Sequence, residues 1–277
     1  MVQIIPFLFF FLLYLYVFDY FDITSFGSDK KGYWFTFVLF EYFVLYSSFE
    51  YIFNRKNTNR GELRVFFCVL CISIISFYYA MNYTRHTSEL GNIKTFLGLF
   101  SFVKIRFFIF FWFGSFVRRH FTAFIKYTDN KYIMACIIGV YFSMTINPSV
   151  YSIKGFEYLA YTFTGITSIC IIFTFFRKKE AIFSKDSKIG LVLQYIGRRT
   201  LDIYLLHYFI LPYNLGQIGS WLLQSGNKTL DIIIILFLAL WIIALSLLLS
   251  NVIRLSPFLA HYLFGVKNSG STGFNVS

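Results

Sequence analysis

Long apolar runs separated by short polar loops recur along the whole chain. The run over 232–249, IIIILFLALWIIALSLLL, contains no charged residue. Because a helix needs about 20 mainly apolar residues to cross a bilayer core, this run predicts a transmembrane helix. The same pattern predicts about eight spans, at 4–18, 33–53, 65–80, 99–117, 132–147, 157–176, 200–222 and 230–250. The expected fold class is therefore all-α, a polytopic bundle of transmembrane helices.

The distribution of basic residues predicts the orientation of this bundle. Lys and Arg are concentrated in the loops that follow the second, fourth and sixth predicted spans. Since short loops rich in Lys and Arg remain in the cytoplasm, both termini are expected there. The net charge of +12 then follows from topology, and no nucleic-acid partner is expected. One transmembrane domain is predicted over 1–266, followed by a disordered polar tail over 267–277.

Composition supports the membrane interpretation. Charged residues make up 14% of the 277 residues and hydrophobic residues 57%, whereas a soluble domain has about 25% charged residues. Membrane lipids are therefore expected partners, and soluble classes of protein are excluded.

The stretch TLDIYLLHYFILP (200–212) places Asp202, Tyr204 and His207 in an apolar segment. Tyr204 and His207 are three residues apart and share a helix face, and Asp202 could pair with Arg199. A neutral imidazole at this depth can act as a general base or donate a hydrogen bond. The alternative is a packing histidine bonded to Tyr204 or to a backbone carbonyl. No second His or carboxylate is spaced to join it, so no metal site is expected.

Two further segments carry ionisable residues inside predicted spans. Trp34 and Glu41 are seven residues apart and thus share a face. Trp34 fits an interfacial anchor, whereas Glu41 lies deeper and must be paired or protonated. Glu41 therefore either joins helices or belongs to a site.

The second segment, over 102–120, carries cations at both ends. Lys104 and Arg106 lie toward the outer side, where they either extend to the interface or line a site for an anionic or sugar substrate. Arg118 and Arg119 at the inner edge either anchor the topology or bind the phosphates of a cytoplasmic donor.

Three segments, in order along the chain, resemble the acyltransferase-3 family of bacterial integral-membrane O-acyltransferases. GYWFTFVLFEYF (32–43) resembles its Trp-Phe-x-x-x-Leu-Phe segment. FFIFFWFGSFVRRH (107–120) resembles its Phe-Phe-x-x-Gly-x-x-x-Arg-Arg segment. GRRTLDIYLLHYFILP (197–212) resembles its late signature Gly-Arg-x-Ser/Thr-x-x-x-Tyr-x-x-His.

This resemblance implies a bacterial cytoplasmic (inner) membrane enzyme that moves acetyl from acetyl-CoA to a hydroxyl of a cell-surface or exported carbohydrate. Acetyl-CoA or another acyl-CoA is the co-substrate on the cytoplasmic side, a carbohydrate or glycolipid is the acceptor, and no bound cofactor is implied. The candidate catalytic residues are His207, Tyr204 and Glu41. The resemblance implies that His207 lies beside the reaction path, where it could orient an acceptor hydroxyl or help polarise the acyl carbonyl. The candidates for substrate or acyl-CoA binding are Arg118, Arg119, Arg198, Arg199, Trp34, Lys104 and Arg106.

One feature of the family is not found at the start of the chain. The first span of the family carries an Arg and, further on, the His expected to be catalytic, whereas 4–18 resembles the third span of the family. The alternative prediction is therefore a catalytically inactive, N-terminally truncated relative, or another non-enzymatic membrane protein of glycan assembly.

Overall fold

The computed structural model describes residues 4–18, 30–54, 58–83, 96–153, 155–212 and 215–266. Helices account for 88% of these residues, and no strand occurs among them. The all-α class predicted from the sequence is thereby confirmed for the described part of the chain. The polar tail predicted over 267–277 lies outside the described residues.

The principal α-helices follow one another with short connections. In chain order they are α1 (Ile4–Val17), α2 (Trp34–Phe53), α3 (Asn59–Tyr83), α4 (Phe108–Arg119), α5 (Phe121–Asp129), α6 (Lys131–Ile146), α7 (Glu157–Lys178), α8 (Glu180–Phe183), α9 (Lys188–Arg198), α10 (Thr200–Ile210), α11 (Leu215–Ser225), α12 (Lys228–Ile253) and α13 (Pro257–Phe264). Short 3₁₀ segments are formed by Lys30–Gly32, Phe102–Phe107 and Pro148–Ser152.

Helices α3, α7 and α12 are long and apolar enough to cross a membrane. Only 6% of the most apolar 18-residue stretch of α12 is buried in the protein. Because so large an apolar surface is unfavourable in water, a lipid environment explains it. These helices support a membrane protein, whereas the eight spans and the cytoplasmic termini stay predictions.

Two of the predicted spans are each divided. The range 99–117 contains the 3₁₀ segment Phe102–Phe107 and then α4, and the range 200–222 contains α10 and part of α11. Helix α10 ends at Ile210 because Leu211 precedes Pro212, and its backbone is extended there (φ −55°, ψ 131°). With 11 residues, α10 is about 16 Å long, roughly half the thickness of a bilayer core.

The described residues form two compact units. We call the first the terminal unit; it comprises the described residues within 1–25, 29–37 and 192–277. The second, the central unit, comprises the described residues within 38–191. The single domain predicted over 1–266 stays a prediction.

The core of the terminal unit is built on one face of α1. Phe7, Phe10, Phe11 and Leu15 recur at helical spacing and are buried. They pack with a second set of buried residues, namely Tyr33, Leu205, Leu206, Leu263 and Phe264. Helices α1, α10 and α13 are thereby joined, and α12 packs along α10.

In the central unit, α3 packs along the 3₁₀ segment Phe102–Phe107, and α6 packs along α7. Gly165 lets α7 approach α4 closely, since a Cβ atom there would lie 2.6 Å from the Phe110 ring.

Candidate functional site

His207 lies on α10 in the terminal unit, with its ring partly buried. Its Nδ1 atom is 2.7 Å from the backbone carbonyl oxygen of Tyr204. Since a carbonyl oxygen only accepts, we assign the hydrogen of the neutral ring to Nδ1, which leaves the lone pair on Nε2. A packing histidine was expected to form a hydrogen bond of this kind. The same hydrogen bond favours the tautomer in which Nε2 can accept a proton.

The Tyr204 hydroxyl joins α10 to the start of α2. It donates to the carbonyl oxygen of Gly32 at 2.7 Å and accepts from the backbone N–H of Phe35 at 3.0 Å. The Phe35 N–H lies in the first turn of α2, where the helix itself offers no acceptor. The rings of Tyr204 and His207 are neighbours, 5.8 Å apart, as their spacing predicted. The phenol, however, is engaged with backbone and not with the imidazole.

Tyr208, which the sequence did not single out, lies against His207. The two ring centroids are 3.9 Å apart, and the Tyr33 ring is 4.9 Å from Tyr208 on another side. Gly32 makes room for this ring: its φ is +98°, and a Cβ atom there would be 2.1 Å from Cζ of Tyr208. Tyr33 in turn donates its hydroxyl hydrogen to the carbonyl oxygen of Leu205 at 3.1 Å. The His207 ring is therefore held by a set of packed phenol rings.

Asp202 is buried, and its predicted pairing with Arg199 is wrong. Its Oδ2 atom accepts from the Ser250 hydroxyl at 2.5 Å and from Nε and Nη2 of Arg254 at 2.9 and 2.7 Å. Arg199 donates instead to Asn251. The prediction failed because Arg199 precedes α10 with non-helical backbone (φ −110°, ψ 12°), so the three-residue helical spacing does not apply.

The remaining cations of this region differ in exposure. The Arg199 guanidinium lies 4.9 Å from the ring centroid of Tyr195, and Arg198 is exposed at the end of α9. Of the two, Arg198 is the more accessible to a phosphate group. The predicted role of both arginines in acyl-CoA binding stays a prediction.

Arg119 in the central unit belongs to an ion-pair cluster. Its Nη1 donates to Glu62 at 2.5 Å and its Nη2 to Glu50 at 3.0 Å. Tyr46 donates to Glu50 at 2.8 Å, and Nε2 of His120 is 3.3 Å from Glu62. Two carboxylates thus balance one guanidinium, which weighs against a phosphate-binding role for Arg119.

This cluster has a sequence signal that was missed. Tyr46, Glu50 and Asn54 follow at intervals of four residues, so they lie along one face of α2. Asn54 donates to Glu50 at 2.8 Å. Arg118, the neighbour of Arg119, is exposed and stays a candidate for phosphate binding.

Hydroxyl side chains satisfy the backbone of the 3₁₀ segment Phe102–Phe107. Four of its carbonyl oxygens accept hydrogen bonds of 2.5 to 3.4 Å, from Ser76 to Phe102, from Tyr42 to Lys104, from Ser73 to Ile105 and from Tyr158 to Arg106. If the span predicted over 99–117 crosses the membrane, its non-helical backbone requires such partners. These four hydrogen bonds stabilise the 3₁₀ conformation of the segment within the central unit.

A cavity of about 390 Å³ adjoins this segment. It is lined by Phe77, Met81, Arg106, Phe107, Phe110, Tyr158, Tyr161 and Thr162. Arg106 lines the cavity, whereas Lys104 does not. The two cations, which were predicted to share one role, therefore differ in their access to this cavity. The Arg106 guanidinium carbon lies 4.8 Å from the Phe107 ring centroid. Its Nε atom is buried and has no hydrogen-bond partner among the described residues.

The two other predicted site residues lie on α2. Both carboxylate oxygens of Glu41 are buried in the central unit. Trp34 is partly buried in the terminal unit, and its ring meets the Phe35 ring edge-on at 6.0 Å. The catalytic role predicted for Glu41 and the binding role predicted for Trp34 stay predictions.

Within the described ranges, no group of three or more His, Cys, Asp or Glu side chains is arranged to hold a metal ion. No family model, curated protein or solved structure matches the chain. The resemblance to the acyltransferase-3 family therefore rests on the three sequence segments alone.

Proposed function

We propose that the chain is a membrane-bound O-acyltransferase of the bacterial cytoplasmic membrane, which moves acetyl from acetyl-CoA to a hydroxyl of a cell-surface or exported carbohydrate. The observation that carries the proposal is the 2.7 Å hydrogen bond between His207 Nδ1 and the Tyr204 carbonyl oxygen. This bond fixes the ring and its tautomer, and it leaves Nε2 as the atom that can take a proton. A positioned histidine is the commonest general base in enzymes.

In the proposed acetyl transfer, Nε2 of His207 is the general base. The acceptor hydroxyl attacks the thioester carbonyl carbon while its proton passes to Nε2 of His207. The new C–O bond forms as the C–S bond breaks, and the departing CoA sulfur takes the proton back from the imidazolium. The products are an O-acetyl ester and free CoA, and His207 returns to its neutral form.

Other residues of the terminal unit support this role by holding the ring. Tyr208 packs against the imidazole, and Gly32 admits the Tyr208 ring. Tyr204 acts as a positioning residue, because both of its hydroxyl hydrogen bonds go to the backbone around α2. The exposed Arg198, in the same unit, is a candidate for binding the phosphates of the acyl donor.

A non-enzymatic membrane protein of glycan assembly is the second candidate. A histidine that only packs also places one ring nitrogen on a carbonyl oxygen, so the hydrogen bond of His207 is compatible with it. The pairing of Arg119 with Glu50 and Glu62 favours it, since one cation expected to bind acyl-CoA is already neutralised.

Acetyl transfer distinguishes the two candidates. Bacterial membranes that contain the chain are supplied with radiolabelled acetyl-CoA, and the label that enters glycan and is released by mild base is counted. His207→Ala should lower this transfer by at least about tenfold, because a general base typically contributes more than that.

His261→Ala is the matched control. His261 also places Nδ1 on a backbone carbonyl, that of Val266 at 2.8 Å, but it is exposed on α13. Its substitution should leave transfer unchanged. Equal transfer by the wild-type chain and by a folded His207→Ala variant removes His207 from the mechanism. Absence of transfer above empty membranes, together with a lack of acetyl-CoA binding, supports the non-enzymatic candidate.

A further inference from the structure

The cavity beside the 3₁₀ segment of the central unit has no part in the chemistry assigned to His207. Its volume of about 390 Å³ falls in the range of small-molecule sites, roughly 300–1,000 Å³. Most of its lining is apolar or aromatic, and Arg106 is the one cation among the described residues that line it. A mainly apolar cavity with few, fixed polar groups is typical of a ligand site.

The Arg106 side chain is partly buried and lines the cavity. No carboxylate among the described residues forms an ion pair with it. Its Nε atom is buried without a hydrogen-bond partner in the described part of the chain. A buried donor without a partner is unfavourable, and an acceptor oxygen of a ligand would provide the partner that Nε lacks.

The backbone around Arg106 is fixed before any ligand arrives. Tyr158 donates to the Arg106 carbonyl oxygen at 3.1 Å, and Tyr42 donates to that of Lys104 at 2.7 Å. Tyr158 is itself buried and lines the cavity. The guanidinium is further confined by the Phe107 ring. Such preorganisation lowers the cost of binding, because little freedom remains to be lost.

We propose that this cavity binds an organic oxyanion, a carboxylate or a phosphate ester, through the Arg106 guanidinium, while the rest of the ligand lies against the aromatic wall. The planar guanidinium presents parallel N–H groups that match carboxylate and phosphate oxygens. The rings of Phe77, Phe110 and Tyr161 also line the cavity, where they would contact a sugar ring or an acyl portion. The proposal does not rest on acyl transfer. The oxyanion belongs either to a soluble acidic sugar or to a lipid headgroup.

The test uses the full chain in lipid nanodiscs. Binding of glucuronate is measured by calorimetry, with glucose as the neutral sugar of similar shape. Retention of phosphatidylglycerol against phosphatidylcholine is measured by native mass spectrometry. Arg106→Gln removes the charge, and Arg106→Lys keeps the charge but loses the planar guanidinium. Arg60→Gln is the control, because Arg60 is an exposed arginine of the central unit that does not line the cavity.

We expect the anion to bind at least about tenfold more weakly to Arg106→Gln, with Arg106→Lys intermediate and Arg60→Gln unchanged. If Arg106→Gln loses glucuronate binding, the ligand is a soluble anion. If it loses the retention of phosphatidylglycerol, the ligand is a lipid headgroup. Either result supports the proposal. Equal behaviour of wild type and Arg106→Gln toward both probes overturns it. Tyr161→Ala provides a second variant, since Tyr161 is 55% exposed and its loss should weaken binding without unfolding the chain.

Discussion

Replacement of Asp202 by alanine should destabilise the terminal unit strongly. The Asp202 side chain is 2% exposed and accepts the hydrogen bonds of Ser250 and Arg254, whereas the Arg254 side chain is 22% exposed. Removal of one partner of a buried ion pair costs about 3–5 kcal/mol, because the other charge stays buried. Part of the Arg254 side chain is exposed. Hydrogen bonds between membrane helices contribute only about 0.6 kcal/mol on average. We therefore expect Asp202→Ala to lower the free energy of unfolding by about 3 kcal/mol, the lower end of this range.

The assay is unfolding of the purified chain by titration with SDS, followed by far-UV circular dichroism. Asp129→Ala is the matched control, because Asp129 also pairs with an arginine, Arg177, but the two side chains are 44% and 27% exposed. An exposed pair contributes about 1 kcal/mol or less.

If the uncompensated charge causes the loss, adding Arg254→Leu to Asp202→Ala should recover part of the stability. A loss no larger than that of Asp129→Ala, or no recovery in the double variant, refutes the reasoning.

Two further predictions concern the packing around His207. Gly32→Ala should lower the free energy of unfolding by about 2–3 kcal/mol, since the new Cβ overlaps the Tyr208 ring and φ is positive. Gly216→Ala, which meets no atom within 4 Å, should change it little in the same titration. Tyr204→Phe should cost about 1–3 kcal/mol and should speed hydrogen exchange of the Phe35 amide, measured by NMR; unchanged exchange would remove Tyr204 from its positioning role.

The helical class and the extent of several helices could be predicted from local pattern. The span predicted over 157–176 corresponds to α7, and the neighbourhood of Tyr204 and His207 followed from their spacing on one helix. The pairing of Asp202 could not be predicted in this way. Its partner Arg254 is 52 residues away in sequence, and only the packing of α10 on α12 brings the two together. Local spacing pointed to Arg199, which lies just outside the regular part of α10.

The surroundings of Arg106 show why the role of polar residues in apolar helices is difficult to predict from sequence alone. Ser73 and Ser76 resemble inert small residues in α3, yet each donates to a carbonyl oxygen of the 3₁₀ segment. Their hydrogen-bond acceptors are about 30 residues further along the chain. A periodic pattern in the sequence does not reveal such a long-range contact. The one local signal was the presence of Lys104 and Arg106 in the outer half of a predicted span, where cations are costly. Ser73 and Ser76 hold the 3₁₀ segment that carries Arg106, and the packing of α3 along that segment, not a spacing in the sequence, brings them to it.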